Sequence, residues 1–176
     1  TGELRRGGVE IAGKTVTLLG AGGAASAIAI GAALEGAREI RVVNKRDAFW
    51  ERALHNLETI GKAAPACKIS LNDLDDADAL RASIEGSDIL TNATRVGMKP
   101  MDDVSLITDV TMFRPDLIVT DVVYDPQETR LLREAKAAGC RTFDGLGMLV
   151  EQGAASFKLY TGLEMPVDEV CEAIYK

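Results

Sequence analysis

Gly20-Ala21-Gly22-Gly23-Ala24-Ala25 stands directly between a β-branched, apolar run at residues 15–19 and an alanine- and isoleucine-rich run at 24–34. Strand, glycine turn and helix in that order form the context in which G-x-G-x-x-A becomes a dinucleotide-binding loop. Gly20 permits the tight turn, and Gly22 removes the Cβ that would hold a diphosphate away from the backbone. Ala25 is small enough to let the helix lie close to the strand. The helix start then offers unpaired N–H groups and the positive end of its dipole to an anion. The plainer alternative is a glycine turn that only joins strand to helix.

The rest of the chain repeats the alternation. Strands are expected at 39–43, 67–71, 88–92, 117–123 and 141–143, from short apolar runs bounded by turn residues. Helices are expected at 48–60, 77–84, 128–138, 146–160 and 167–174, with 93–114 irregular around Gly97 and Pro100. The 117–123 run is nearly continuously apolar and bounded by turn residues, as a strand buried on both faces should be. Strands alternating with helices predict an α/β fold: a doubly wound, mostly parallel sheet of Rossmann type with helices on both faces. A length of 176 residues favours a single domain, 1–176.

A formal charge of −7 argues against a nucleic-acid or anionic-membrane partner, because phosphate polyanions are repelled at long range. No stretch reaches the ~18 consecutive apolar residues of a membrane span. Cys67, Cys140 and Cys171 are odd in number and show no CxxC spacing, so reduced thiols in a cytoplasmic protein are expected. The only histidine, His55, falls in the middle of a predicted helix, where a surface or packing role is expected rather than catalysis. No metal site is expected: the acidic run at 73–78 lacks the glycine and the closing glutamate of a calcium loop.

Ribose recognition belongs at the end of the second strand, about 20 residues beyond the loop. Asn44, Lys45, Arg46 and Asp47 occupy that place. Asp47 would accept a 2′-hydroxyl and repel a 2′-phosphate, which favours NAD, whereas Lys45 and Arg46 could neutralise one and leave NADP possible. Asp47 also stands where it could cap the helix that follows.

Further strings are more specific than the glycine loop: Asn92-Ala93-Thr94-Arg95-Val96-Gly97-Met98, Asp144-Gly145-Leu146-Gly147-Met148-Leu149 and Gln152-Gly153. With the loop and the 44–47 segment, in this order over essentially the whole chain, they make it resemble the shikimate dehydrogenases in their C-terminal cofactor domain. It is most similar to the quinate/shikimate dehydrogenase branch, in which an aspartate closes an Asn-Arg-Arg-Asp-like segment and Lys-Pro follows Val-Gly-Met. Here the segment is Asn-Lys-Arg-Asp, and Lys99-Pro100 follows.

The resemblance implies that Ala21, Gly22, Gly23 and Ala24 line a pyrophosphate, and that residues 44–47 hold the adenosine ribose. It puts Thr94, Arg95, Val96 and Met98 on the approach to the nicotinamide. Val122, Val123, Tyr124, Asp125 and Gly145 would border the ring, and Gln152 would reach a substrate hydroxyl. Arg95 stands where that branch often has lysine. The plainer readings are strand-end caps for Asn92 and Thr94, ordinary core for Met98 and Met148, and a solvated helix position for Gln152.

The same resemblance implies an oxidoreductase that moves hydride between NAD(P) and shikimate or quinate. Its Lys and Asp proton-transfer pair, and the serine-rich strand that grips the acid, come from a substrate domain N-terminal to residue 1. The chain lacks an initiator Met and reads as a piece of something longer, so alone it is expected to be inactive. A non-catalytic nucleotide-binding module is the competing class. A third is a dehydrogenase with another substrate, such as a glutamyl-tRNA reductase or methylene-tetrahydrofolate dehydrogenase, against which the DGxGMLxxQG string speaks.

Overall fold

The computed structural model describes residues 1–174. Its strands are β1 (Thr15–Leu19), β2 (Glu39–Asn44), β3 (Lys68–Asp73), β4 (Ile89–Asn92), β5 (Ile118–Asp121) and β6 (Arg141–Phe143). They form one sheet in the order β3-β2-β1-β4-β5-β6, with every neighbouring pair parallel. Parallel neighbours need crossovers, which α2 (Gly23–Leu34), α3 (Trp50–Ala63), α4 (Ala77–Glu85) and α5 (Arg130–Ala137) supply, except from β4 to β5, where the irregular segment 93–117 crosses with only a 3-10 turn at Val110–Met112. The doubly wound α/β reading therefore holds, and the order reverses between β1 and β4, which opens a crevice beyond their C-terminal ends.

Alternation along the strands divides the core in two. Leu18, Ile40, Val42 and Ile89 point to the side of α2 and α3, against Ala29, Ala32, Ala33 and Ile60. Leu19, Val43, Leu90 and Val119 point the other way, against Leu80, Ile84, Leu131 and Leu132 of α4 and α5. Leu18, Leu19 and Ile40 are fully buried, and each such side chain stabilises the fold by about 1.5–3 kcal/mol. Alanines on the sheet face of α2 let that helix approach β1 closely, which brings its first turn to the crevice.

Most expected elements end within a few residues of where the sequence put them. One difference is informative: the strand expected at 117–123 stops at Asp121, whose own carboxylate takes the Val123 N–H (3.0 Å) and turns the chain out of the sheet. The polar start of the chain also folds, as α1 (Gly2–Arg6), because Leu4 lands on the α2-side core and Arg6 pairs with Glu151 at 3.0 Å. Glu151 belongs to α6 (Gly145–Thr161), which is followed by α7 (Val167–Ile174). No helix among the described residues is long and apolar enough to cross a membrane.

The α1–α6 contact has a built-in pH dependence. Glu3 packs against Gly147, and burial, then the nearby Asp144 charge, push its carboxyl up to about 7, while Arg6 pulls the other way. A carboxyl whose folded pKa exceeds its ordinary 4.5 contributes stability that is complete below that value and lost as pH rises through about 7. The Arg5 and Gly7 amides, which close α1 on Thr1 and Glu3, should therefore be better protected from exchange at pH 5.5 than at pH 8, after correction for intrinsic rates. Glu3→Gln should flatten the difference; protection that is already independent of pH in the unsubstituted chain would refute it.

Candidate dinucleotide cleft

The crevice is a cleft of about 400 Å3 whose floor is the glycine loop and whose walls are the loops leaving β2, β4 and β5. Gly20 needs its glycine: φ is +99°, and a Cβ would lie 2.6 Å from Thr94 Cγ2. Gly22 and Gly23 are different, because a Cβ on either would meet nothing within 4 Å. Their bareness serves no packing purpose; it leaves open space over the start of α2. Gly22 is the N-cap of α2 and supplies no side-chain cap, so the first turn faces the cleft without an internal acceptor.

Asn44 reaches the cleft from the end of β2, with Nδ2 donating to the Lys45 carbonyl at 2.7 Å. Asp47 does not cap α3 directly, since the N-cap position is Phe49. Its Oδ1 instead accepts the Phe49 N–H at 2.9 Å, and its carbonyl accepts the Trp50 N–H, in a turn just before the helix. The two neighbouring cations are engaged elsewhere: Lys45 lies 3.8 Å from Asp75, and Arg46 stacks 5.0 Å over the Trp50 ring.

Opposite, Asn92 at the end of β4 does more than cap a strand. Its Oδ1 accepts from the Thr94 N–H (3.1 Å) and hydroxyl (2.7 Å), and its Nδ2 donates to the Val96 carbonyl at 2.9 Å. That folds residues 93–98 into a compact loop whose Thr94, Arg95 and Met98 line the cleft, while Val96 is half-buried behind them. Asn92 Nδ2 also donates to Asp121 at 2.8 Å. Asp121 is 3% exposed, and burial pushes its carboxyl up to about 6 against the pull of the Val123, Thr129 and Asn92 donors.

Of the residues singled out beyond β5, Val122 and Val123 line the cleft. Tyr124 and Asp125 follow as exposed positions. Gly145 is buried behind them, its N–H donating to the Val123 carbonyl at 3.1 Å, so it shapes the wall without lining it. Gln152 is exposed on α6 and is not among the residues that line the cleft, and His55 is exposed on α3. Sequence reasoning passed over Asp121 and Thr129. Asp121 lay inside an apolar run, where a lone acid was the available signal.

The chain has clear relatives. A model of the shikimate 5'-dehydrogenase C-terminal domain matches residues 145–175. A quinate/shikimate dehydrogenase of Escherichia coli O139:H28 is 44% identical over 167 residues, which is 95% of this chain and 58% of that protein. The crystal structure of a Listeria monocytogenes shikimate 5-dehydrogenase, in complex with shikimate and NAD, superposes with a TM-score of 0.93 at 47% identity, over 98% of this chain and 59% of that one. A Corynebacterium glutamicum quinate dehydrogenase in complex with NAD gives a TM-score of 0.84 at 30% identity, over 98% of this chain and 58% of that one. The chain thus spans less than three fifths of the length of these relatives.

Proposed function

This chain carries the C-terminal domain of the shikimate dehydrogenase family, and on that premise we propose that it is the dinucleotide-holding part of an oxidoreductase acting on shikimate or quinate. The observation that carries the reading is the uncapped start of α2, where the Cβ directions of Gly22 and Gly23 open into the cleft. Backbone amides there hold the diphosphate, and residues 44–47 hold the adenosine ribose. The loops at 94–98 and 122–125, backed by Gly145, hold the nicotinamide, and Gln152 meets a substrate hydroxyl.

When bound, the nicotinamide supplies the ring carbon that exchanges hydride with the substrate's ring hydroxyl or ketone. This chain contributes position: it fixes the ring in one orientation and shields one face from water. The cytoplasmic enzyme's proton-transfer pair and carboxylate grip belong, in the same reading, to a substrate domain N-terminal to residue 1. NAD is preferred to NADP. Asp47 is held just beyond the end of β2 by the Phe49 amide, where its carboxylate repels a 2′-phosphate, and the nearby Lys45 charge is partly offset by Asp75 at 3.8 Å.

Titration of the purified chain with NAD and NADP tests this, together with an assay using shikimate or quinate plus NAD. The expected result is weak NAD binding that exceeds NADP binding, with no turnover. Clear turnover would place proton-transfer groups inside these 176 residues, and tighter binding of NADP would overturn the role given to Asp47.

A further inference from the structure

A buried polar cluster joins the two loops that wall the cleft opposite the ribose segment. Asp121 is at its centre, and its two oxygens between them serve three elements. Oδ1 accepts from Asn92 Nδ2 at the end of β4 (2.8 Å) and from the Val123 N–H in the loop after β5 (3.0 Å). Oδ2 accepts the Thr129 hydroxyl at 2.7 Å, and that hydroxyl also caps α5 by accepting the Leu132 N–H at 3.4 Å. Asn92 spends its remaining bonds on Thr94 and Val96. The loop at 93–98 also rests on Thr129 directly: Gly97 has φ +102°, and a Cβ there would lie 3.1 Å from Thr129 Cγ2.

From these contacts we infer that Asp121 is a positioning residue that sets the width of the cleft on its nicotinamide side; this rests on the cofactor reading proposed above. Asp121 does not line the cleft, is 3% exposed and has both oxygens engaged, so it takes no part in handling substrate or cofactor directly. A buried carboxyl is a costly way to fill space, because desolvation disfavours its charge. What a valine could not do is bind donors from β4, the β5 loop and α5 at once. Through this one side chain, residues 94, 96, 122 and 123 keep a fixed separation. The glycine loop and residues 44–47, at the adenosine end, make no bond to it.

The geometry predicts an asymmetric effect. In Asp121→Asn, the oxygen can still accept from Asn92 and Val123, but the amide turned to Thr129 can only donate to the hydroxyl oxygen, so that bond reverses and the hydroxyl proton loses its acceptor. Thr129→Val removes the hydroxyl at nearly constant shape, and Thr129→Ser retains it. Binding of NAD and of ADP-ribose, which lacks the nicotinamide, is measured on this chain for all three. Loss of one such bond should weaken NAD about tenfold in Asp121→Asn and Thr129→Val, with ADP-ribose within about twofold, and Thr129→Ser near the unsubstituted values. Parallel weakening of both ligands, or unchanged NAD affinity, would overturn the inference.

A ligand-free measurement separates this from the cofactor reading. In Thr129→Val, exchange of the Val96 and Val123 amides should quicken about tenfold while β1 and β2 amides hold their rates. A uniform increase across the sheet marks a merely structural role and overturns the inference. Failure of the unsubstituted chain to bind either ligand would instead remove the cofactor reading itself.

Discussion

Gly22→Asp should abolish dinucleotide binding, weakening NAD at least about 100-fold, while leaving the unliganded fold as stable as before or slightly more so. Gly22 is the N-cap of α2 with an extended backbone, φ −78° and ψ −169°, and a Cβ there meets no atom within 4 Å. Aspartate is among the best residues for an N-cap, because its carboxylate accepts the free N–H groups of the first turn. The same carboxylate would then occupy the donors that a diphosphate needs and repel its charge. Hydrogen bonds to a charged group contribute about 1.5–3 kcal/mol each, so losing two of them accounts for the 100-fold.

Calorimetric titration with NAD, beside thermal melts of the two chains, is the measurement. Unimpaired binding by Gly22→Asp would mean that the α2 amides do not hold the diphosphate. A Tm lowered by many degrees would mean that Gly22 is there for packing. Gly20 makes the contrast sharp, since its positive φ and the nearby Thr94 methyl make any substitution there a folding defect first.

What the sequence revealed, and what it hid, follows from the range of each signal. Residues 15–34 disclosed strand, turn and helix because hydrophobic period and glycine placement are local properties. The sheet followed from alternation, since parallel strands need crossovers and the crevice opens where their order reverses. Two site features escaped. Asp121 looked like part of a buried strand because only its partners, Asn92 and Thr129, 29 and 8 residues away, make it a junction. The length of β5 was misjudged for the same reason: Val122 and Val123 are apolar enough for a strand, but a side chain, not hydropathy, ends the ladder at Asp121. The helix at Gly2–Arg6 escaped because five residues are too few to sustain a helix alone, good helix formers though Glu3, Leu4, Arg5 and Arg6 are, and their order comes from Leu4 and the Arg6–Glu151 pair.

Gly145→Ala should be the most damaging single-methyl change in the chain, lowering stability by about 3 kcal/mol and Tm by roughly 10 °C for a domain of this size. The position carries no left-handed φ, so backbone strain is not the cause. The added Cβ would fall 2.5 Å from the Val122 carbonyl carbon and 2.6 Å from the Val123 oxygen. These are backbone atoms in the wall of the cleft, held on their other side by Asp121, and they cannot rotate away as a side chain could. Gly147, one half-turn on, gives the control. The neighbour its Cβ would strike is the carboxyl end of Glu3, which can swing towards solvent, so Gly147→Ala should cost less than about 1 kcal/mol. It should also release the Glu3 carboxyl and erase the pH dependence of α1. Thermal melts of the two variants, side by side, decide the matter: equal losses would mean that the α6 start is crowded throughout, and a harmless Gly145→Ala would mean that the 122–123 wall yields, so that the cleft has no fixed width for Asp121 to set.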